Sequence, residues 1–325
     1  MARTILKDEE YWQVRNEEHA NMRKQISDEN SYKRRLESLY KSAQDEIIRD
    51  IEADIIKFAD SEGLSMVEAR RRISKLDVES FSSKVRRYVE ERDFSPRANE
   101  ELRLYNVTTR TNRLQLLESR IHLELVSLSN EEERMLEEWL SQETQKELTR
   151  QAGILGEAVP DLNQLENLAK QIVESERKNI NFSERIWQNQ KELQAKLDNT
   201  ICRTILRGEN PRVAGSELRQ LVSEEFFGKN GKGGAKYAAD RIAITETARV
   251  QTTAQKESFR KYAIDQFVFI AESDACDNCL DFDGKIFNVD DSNAPTIPVH
   301  PFCRCSTAAY MDRKAFEDDL TSRGL

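Results

Sequence analysis

Five residues toward the C-terminal end have the types and spacing of a metal site. Cys276 and Cys279 stand two residues apart, and after a gap of about twenty residues His300, Cys303 and Cys305 follow in the run HPFCRC. A tight turn across two intervening residues aims both thiolates at one ion. His300 and Cys303 repeat that i, i+3 spacing, and Cys303 and Cys305 point to the same side if the chain between them is extended. Five candidate ligands thus compete for four tetrahedral positions. Four sulfur or imidazole ligands leave no place for water, so the pattern predicts a closed structural zinc site rather than a catalytic one. The fifth donor is expected to support the others, with His300 or Cys303 the weakest member.

Other chemistries fit these residues less well. Four of the five cysteines lie between 276 and 305, while Cys202 stands alone. The N-terminal MARTILKDEEYWQ lacks the apolar core of a signal peptide, so the chain is expected in the cytosol, where clustered cysteines read as metal ligands rather than disulfides. A nucleophilic Cys303–His300 pair leaves three cysteines without a role and comes with no assignable oxyanion donors. A zinc nuclease needs further histidines near the metal, yet His19 and His122 lie far upstream. No catalytic residue and no small-molecule substrate is therefore expected. Asp281, Asp283, Asp290 and Asp291 offer a second metal set, but a solvated, turn-rich loop is the simpler reading. The expected role of zinc is folding, because the few tens of residues after Gln266 make too small a core alone and a structural zinc supplies about 10 to 16 kcal/mol.

The elements that must position these ligands are legible in outline. QFVFIA, with its aromatic and β-branched residues, reads as a strand entering the first cysteine pair, and Asp283-Gly284 reads as a hairpin turn before Lys285, Ile286 and Phe287. Upstream, a helix is expected from about Ala235 to Asp265, with Ile242, Glu246 and Arg249 on one face and Glu246–Arg249 as a solvated i, i+3 ion pair. Leu193, Leu197, Ile201 and Ile205 recur every fourth residue up to Gly208 and Pro211, which marks a helix and its end. Asp161, with Gln164 three residues on, signals a helix start. So does Asn130 with Glu133, ahead of Met135 and Trp139 and after a stretch through Leu114, Leu117, Ile121, Leu125 and Leu128. Leu36, Tyr40, Ala43, Ile47, Ile51, Ile55 and Phe58 line one face of a helix from Ser31 to Glu62, broken by Gly63.

These apolar stripes, with Trp12, Trp139 and Trp187, read as the chain's own core, and charge runs such as RNEEH and EEERMLEE read as solvated faces. Between Phe227 and Lys236, GKNGKGGAK reads as a basic flexible linker; it lacks the order of a phosphate-binding loop. Over 325 residues, 34% are charged and mean hydropathy is -0.73. No apolar run approaches the ~20 residues of a membrane span. A net charge of -9 argues against a protein that coats nucleic acid over its whole surface, while a local DNA contact stays open.

The order of a helix around Trp187, a helix after Gly208, a long helix containing ITETAR, a strand, CDNCLDFDGKIF and PVHPFCRC resembles the phage head morphogenesis family, which includes the Mu F-like minor head proteins. The likeness covers roughly Trp187 to Tyr310, with Ile244 where the family leads one to expect a basic residue. It implies a portal-associated internal component of the procapsid, found in the virion and assembled in the host cytoplasm, that acts in head assembly and genome delivery. The implied partners are the portal protein and the major capsid or scaffolding protein, with no membrane. The alternative is a zinc-module nucleic-acid-binding protein in packaging or regulation, or a metal-dependent nuclease. The expected class is mainly α: an elongated helical N-terminal region with a small C-terminal α+β zinc-stapled module. Its expected divisions are a long-helix region over 1–180, the helical part of the head morphogenesis domain over 181–265, the zinc module over 266–312 and a polar tail over 313–325.

Overall fold

A computed structural model describes residues 3–4, 9–59, 95–97, 99, 113–156, 158–180, 182–207, 217, 221 and 234–311. Its elements in chain order are β1 (Arg3–Thr4), α1 (Glu9–Ala59), α2 (Arg113–Ile154), α3 (Leu162–Ile180), α4 (Phe182–Arg207), α5 (Ala235–Lys261), β2 (Gln266–Ile270), the single turn α6 (Asp277–Leu280), β3 (Lys285–Asn288) and β4 (Ser306–Tyr310). The protein is mainly helical with a small C-terminal sheet, as expected. The chain forms two compact units, one of residues 1–32, 136–182 and 241–325, the other of 33–135 and 183–240.

The elements of the second unit among its described residues are all helices. Leu36, Tyr40, Ala43, Ile47 and Ile51 of α1 are buried, as are Leu117, Ile121, Leu125 and Leu128 of α2 and Trp187, Leu193 and Leu197 of α4. The side chains of Leu114, Ile201, Cys202 and Ile205, with Gly63, Gly208, Pro211 and most of GKNGKGGAK, lie outside the described residues. Three expectations need correction. α1 begins at Glu9, well before Ser31. Asn130 starts no helix: α2 runs through it unbroken, and its buried side chain accepts the Ser95 N–H at 3.0 Å. Nor is EEERMLEE a solvated face. Glu132 accepts the Tyr40 hydroxyl at 2.7 Å and Glu133 the Trp187 indole N–H at 2.8 Å, both buried. These carboxylates tie α1 and α4 to α2 because buried Tyr and Trp need acceptors for their polar tips.

The other unit carries the sheet, in the order β1-β3-β2-β4 with antiparallel pairings. β2 is apolar without alternation because both of its faces are covered. Phe267 and Phe269 join Phe259 of α5, Phe287 and the cysteines in one core, while Val268 and Ile270 join Ala308 and Tyr11 and Met22 of α1 in another. A buried polar network crosses these elements. Arg150 of α2 pairs with Glu18 of α1 and with Glu147, each at 2.7 Å. Gln255 of α5 donates to Glu147 at 2.9 Å and accepts the Thr307 hydroxyl of β4 at 2.7 Å. α3 starts as anticipated, with Asp161 accepting the Gln164 N–H at 2.9 Å.

Burial pushes the Glu132 carboxyl up from 4.5 to about 7, opposed by the Tyr40 hydrogen bond and reinforced by Asp240 and Glu133. Between those values the folded chain keeps a proton that the unfolded chain has released, so stability falls as pH rises through the window. Glu132→Gln should flatten this slope. Urea unfolding between pH 5 and 8.5 is expected to show the variant gaining on the wild type as pH rises, and parallel curves would contradict the assignment.

Candidate metal centre

Two short turns bring the sulfur and imidazole donors together. In the first, Cys276 is extended (φ -69°, ψ 163°) and its carbonyl accepts the N–H groups of Cys279 at 2.9 Å and Leu280 at 3.0 Å, which opens α6. In the second, the His300 carbonyl accepts the Cys303 N–H at 3.1 Å. Pro301 presets the second position of this turn, and Phe302 takes the third with φ +65°. A left-handed phenylalanine costs roughly 1 to 3 kcal/mol. Its N–H is held by the Thr245 hydroxyl of α5 at 3.2 Å, so the ITETAR segment fixes the second turn directly.

All five predicted residues meet. Donor atoms of Cys276, Cys279 and His300 lie within 4.8 Å of one another, and so do those of Cys279, Cys303 and Cys305. Cys279 belongs to both groups and its sulfur is 3.9 Å from that of Cys303. Cys276 is exposed, whereas Cys279, Cys303 and Cys305 are buried. His300 Nδ1 lies 2.8 Å from the Pro301 carbonyl, which assigns the proton to Nδ1 and leaves Nε2 as the donor atom.

The electrostatics are those of a crowded thiol cluster. A hydrogen bond from Cys305, outweighing burial and joined by the backbone of Cys305 and Val299 and by His300, brings Cys303 down to about 5. Burial and then Cys303 push Cys279 up to about 12. The Cys279 N–H lowers Cys276, and the Pro301 carbonyl raises His300. A divalent cation among such thiols deprotonates them outright, and the donor set of thiols and one imidazole suits zinc.

Beyond the ligands, the long N-terminal helix anchors the cysteine segment. Asp283 accepts the Ala271 N–H at 2.9 Å, an Arg15 guanidinium N–H at 2.6 Å and the Tyr11 hydroxyl at 3.0 Å. His19 Nε2 lies 2.9 Å from the Ala271 carbonyl, and Arg304 pairs with Glu29 at 2.7 Å. RNEEH is therefore not a solvated face: Arg15, Glu18 and His19 all engage the sheet-bearing unit. Trp12 is the exception among the tryptophans, 47% exposed where the sequence suggested core. Asp283 is likewise not part of a solvated loop, and Asp290 pairs with Arg260 at 2.9 Å. Asp283-Gly284 does not close a two-residue hairpin, since β2 and β3 are joined through α6. Gly284, at φ +74°, turns the chain into β3 with its N–H on the Phe269 carbonyl at 2.9 Å. The Glu246–Arg249 pair forms at 3.1 Å, but Glu246 is fully buried rather than solvated.

The matched sequence covers this same architecture. Residues 195–308 match the phage Mu protein F like family. The Mu F-like segment begins within α4 and ends within β4, and so takes in α5, both turns and all five donors. The resemblance drawn from ITETAR, CDNCLDFDGKIF and HPFCRC is thereby borne out. A search of curated proteins and a search of solved structures each found no match. The anchoring residues Tyr11, Arg15 and Glu29 lie outside the Mu F-like segment, and the sequence signalled them only through the unalternating QFVFI, whose second face needs a cover.

Asp283→Ala should strand Arg15 and cost ~3 kcal/mol, the scale of breaking a buried ion pair. Hydrogen exchange is expected to accelerate in residues 11–22 with metal content unchanged. Unaltered exchange there would refute the anchoring role.

Proposed function

We propose that this chain is a minor head protein of a tailed phage, a portal-associated internal component of the procapsid that acts in head assembly and genome delivery. The observation that carries this reading is the coincidence of the Mu F-like match over residues 195–308 with the two-turn cysteine module. Its partners on this reading are the portal protein and the major capsid or scaffolding protein, inside the head. No helix among the described residues is long and apolar enough to cross a membrane.

The module holds one structural zinc through four of Cys276, Cys279, His300, Cys303 and Cys305, and the protein has no hydrolase activity. When bound, the ion supplies a cross-link between the two turns, and the chain's own residues hold those turns against α5 through Thr245 and against α1 through Asp283. A nucleic-acid-binding reading gains little here: of the module's cations, Arg304 is paired with Glu29 and Lys285 lies over the Phe282 ring at 5.9 Å.

The deciding experiment is assembly with the gene deleted. Shells should still form, with altered fidelity or lost genome delivery, and the protein should be present in purified wild-type heads. Normal infectious yield from the deletion, or heads lacking the protein, would overturn the proposal. For the metal, protein purified without chelator should carry about one equivalent of zinc, and stripping it should open residues 266–310 to protease while α2 stays protected. Equal protection with and without chelator would contradict a structural role.

A further inference from the structure

We infer that the cluster carries a hydroperoxide-sensitive release for its ion: Cys276 is the thiolate that a hydroperoxide reaches first, and Cys279 then joins it in a disulfide inside the first turn. This regulation of the same site rests on the zinc reading above. Accessibility separates the module's four thiols. Cys276 is exposed, whereas Cys279, Cys303 and Cys305 are buried, so an oxidant arriving from solvent meets Cys276. Proximity then names its partner. The donor group that contains Cys276 holds one other sulfur, that of Cys279, within 4.8 Å, and among the described residues no donor group joins Cys276 to Cys303 or Cys305. The Cys279 N–H on the Cys276 carbonyl at 2.9 Å closes this turn, and a closed turn keeps its end α-carbons within the ~7 Å that a disulfide requires.

The chemistry balances with one hydroperoxide. The Cys276 thiolate attacks a peroxide oxygen: a sulfur–oxygen bond forms, the oxygen–oxygen bond breaks, and the departing hydroxide or alkoxide takes up a proton. The Cys279 thiolate then attacks the Cys276 sulfur, forming the sulfur–sulfur bond and expelling hydroxide, which leaves as water. Two thiolates thus lose two electrons and the hydroperoxide gains them. Cys279 belongs to both donor groups, so its loss with Cys276 leaves His300 alone in one and Cys303 with Cys305 in the other, too few donors for a closed site. A bond within the first turn also replaces the cross-link between the two turns. The second turn, with its left-handed Phe302 at φ +65°, is then no longer tied to the first by the ion. Glutathione and thioredoxin keep cytosolic thiols reduced, so on the reading above the site stays loaded during assembly and opens only in chains that have left the host cytoplasm.

Hydrogen peroxide added to the full, zinc-loaded chain tests this. Peptide mass mapping should find a Cys276–Cys279 disulfide, and a chelating dye should report about one zinc released per disulfide. Residues 266–310 should open to protease while α2 stays protected, and dithiothreitol with zinc should restore both the metal and the protection. Dimedone, which traps sulfenic acids, should label Cys276 ahead of the other three cysteines of the module. In Cys279→Ser the trapped Cys276 adduct should rise several-fold, because no resolving thiol adjoins it; the wild-type mapping stands even if that variant does not fold. A disulfide joining Cys279 to Cys303 or Cys303 to Cys305, first labelling at a buried cysteine, or zinc retained with all thiols reduced would overturn the assignment. A chain that carries no zinc before peroxide is added would instead overturn the zinc reading itself.

Discussion

A four-stranded sheet whose longest strands have five residues must be covered on both faces, and much of the sheet-bearing unit answers that requirement. The alternate residues of β2 divide the work. Phe267 and Phe269 face a core shared with Phe259 of α5 and with the cysteines, and Val268 and Ile270 face one shared with α1. Neither layer is optional, since a strand with two apolar faces exposes one of them to water if either cover is missing. This explains why a helix from the start of the sequence and one from its last third converge on the same short strand. β1 adds two residues at the edge, beside β3.

Covering both faces forces charge into the interior. α1 and α2 bring Glu18, Glu147 and Arg150 against the sheet, where the guanidinium bridges the two carboxylates and their remaining acceptor capacity takes Gln255 and Ser306. A buried ion pair of this kind adds little net stability over an apolar substitute, but it rejects misplaced neighbours because each wrong register leaves a charge unmet. Asp283 does the same between α1 and the cysteine segment. Burial would raise its pKa, yet the Ala271 N–H and the Arg15 and Tyr11 side chains hold it below the usual carboxylate value.

Local signals are legible in the sequence, and long-range ones are not. The strand at Gln266–Ile270, the helix near Ala235, the Asp161 cap and the meeting of the five donors were all legible, because each depends on spacing within a few residues or on ligand chemistry. Asn130 with Glu133 looks like a helix start because a capping pattern has the same spacing in the middle of a helix whose polar residues are buried. Glu132, Glu246 and Arg15 look solvated in the sequence because a charged residue usually is, and only the tertiary environment overturns that.

The hydrogen bond from Tyr11 to Asp283 spans 272 positions of the chain. During synthesis at roughly 5 to 20 residues per second, α1 must therefore wait tens of seconds for the surface it covers. Through that interval Tyr11 and Met22, which end up buried, have no sheet to pack on, and Arg15 has no Asp283. The sheet-bearing unit thus matures late, after translation has passed the second cysteine turn, and a nascent chain held short of that point presents α1 with an open apolar face to chaperones or to neighbouring copies.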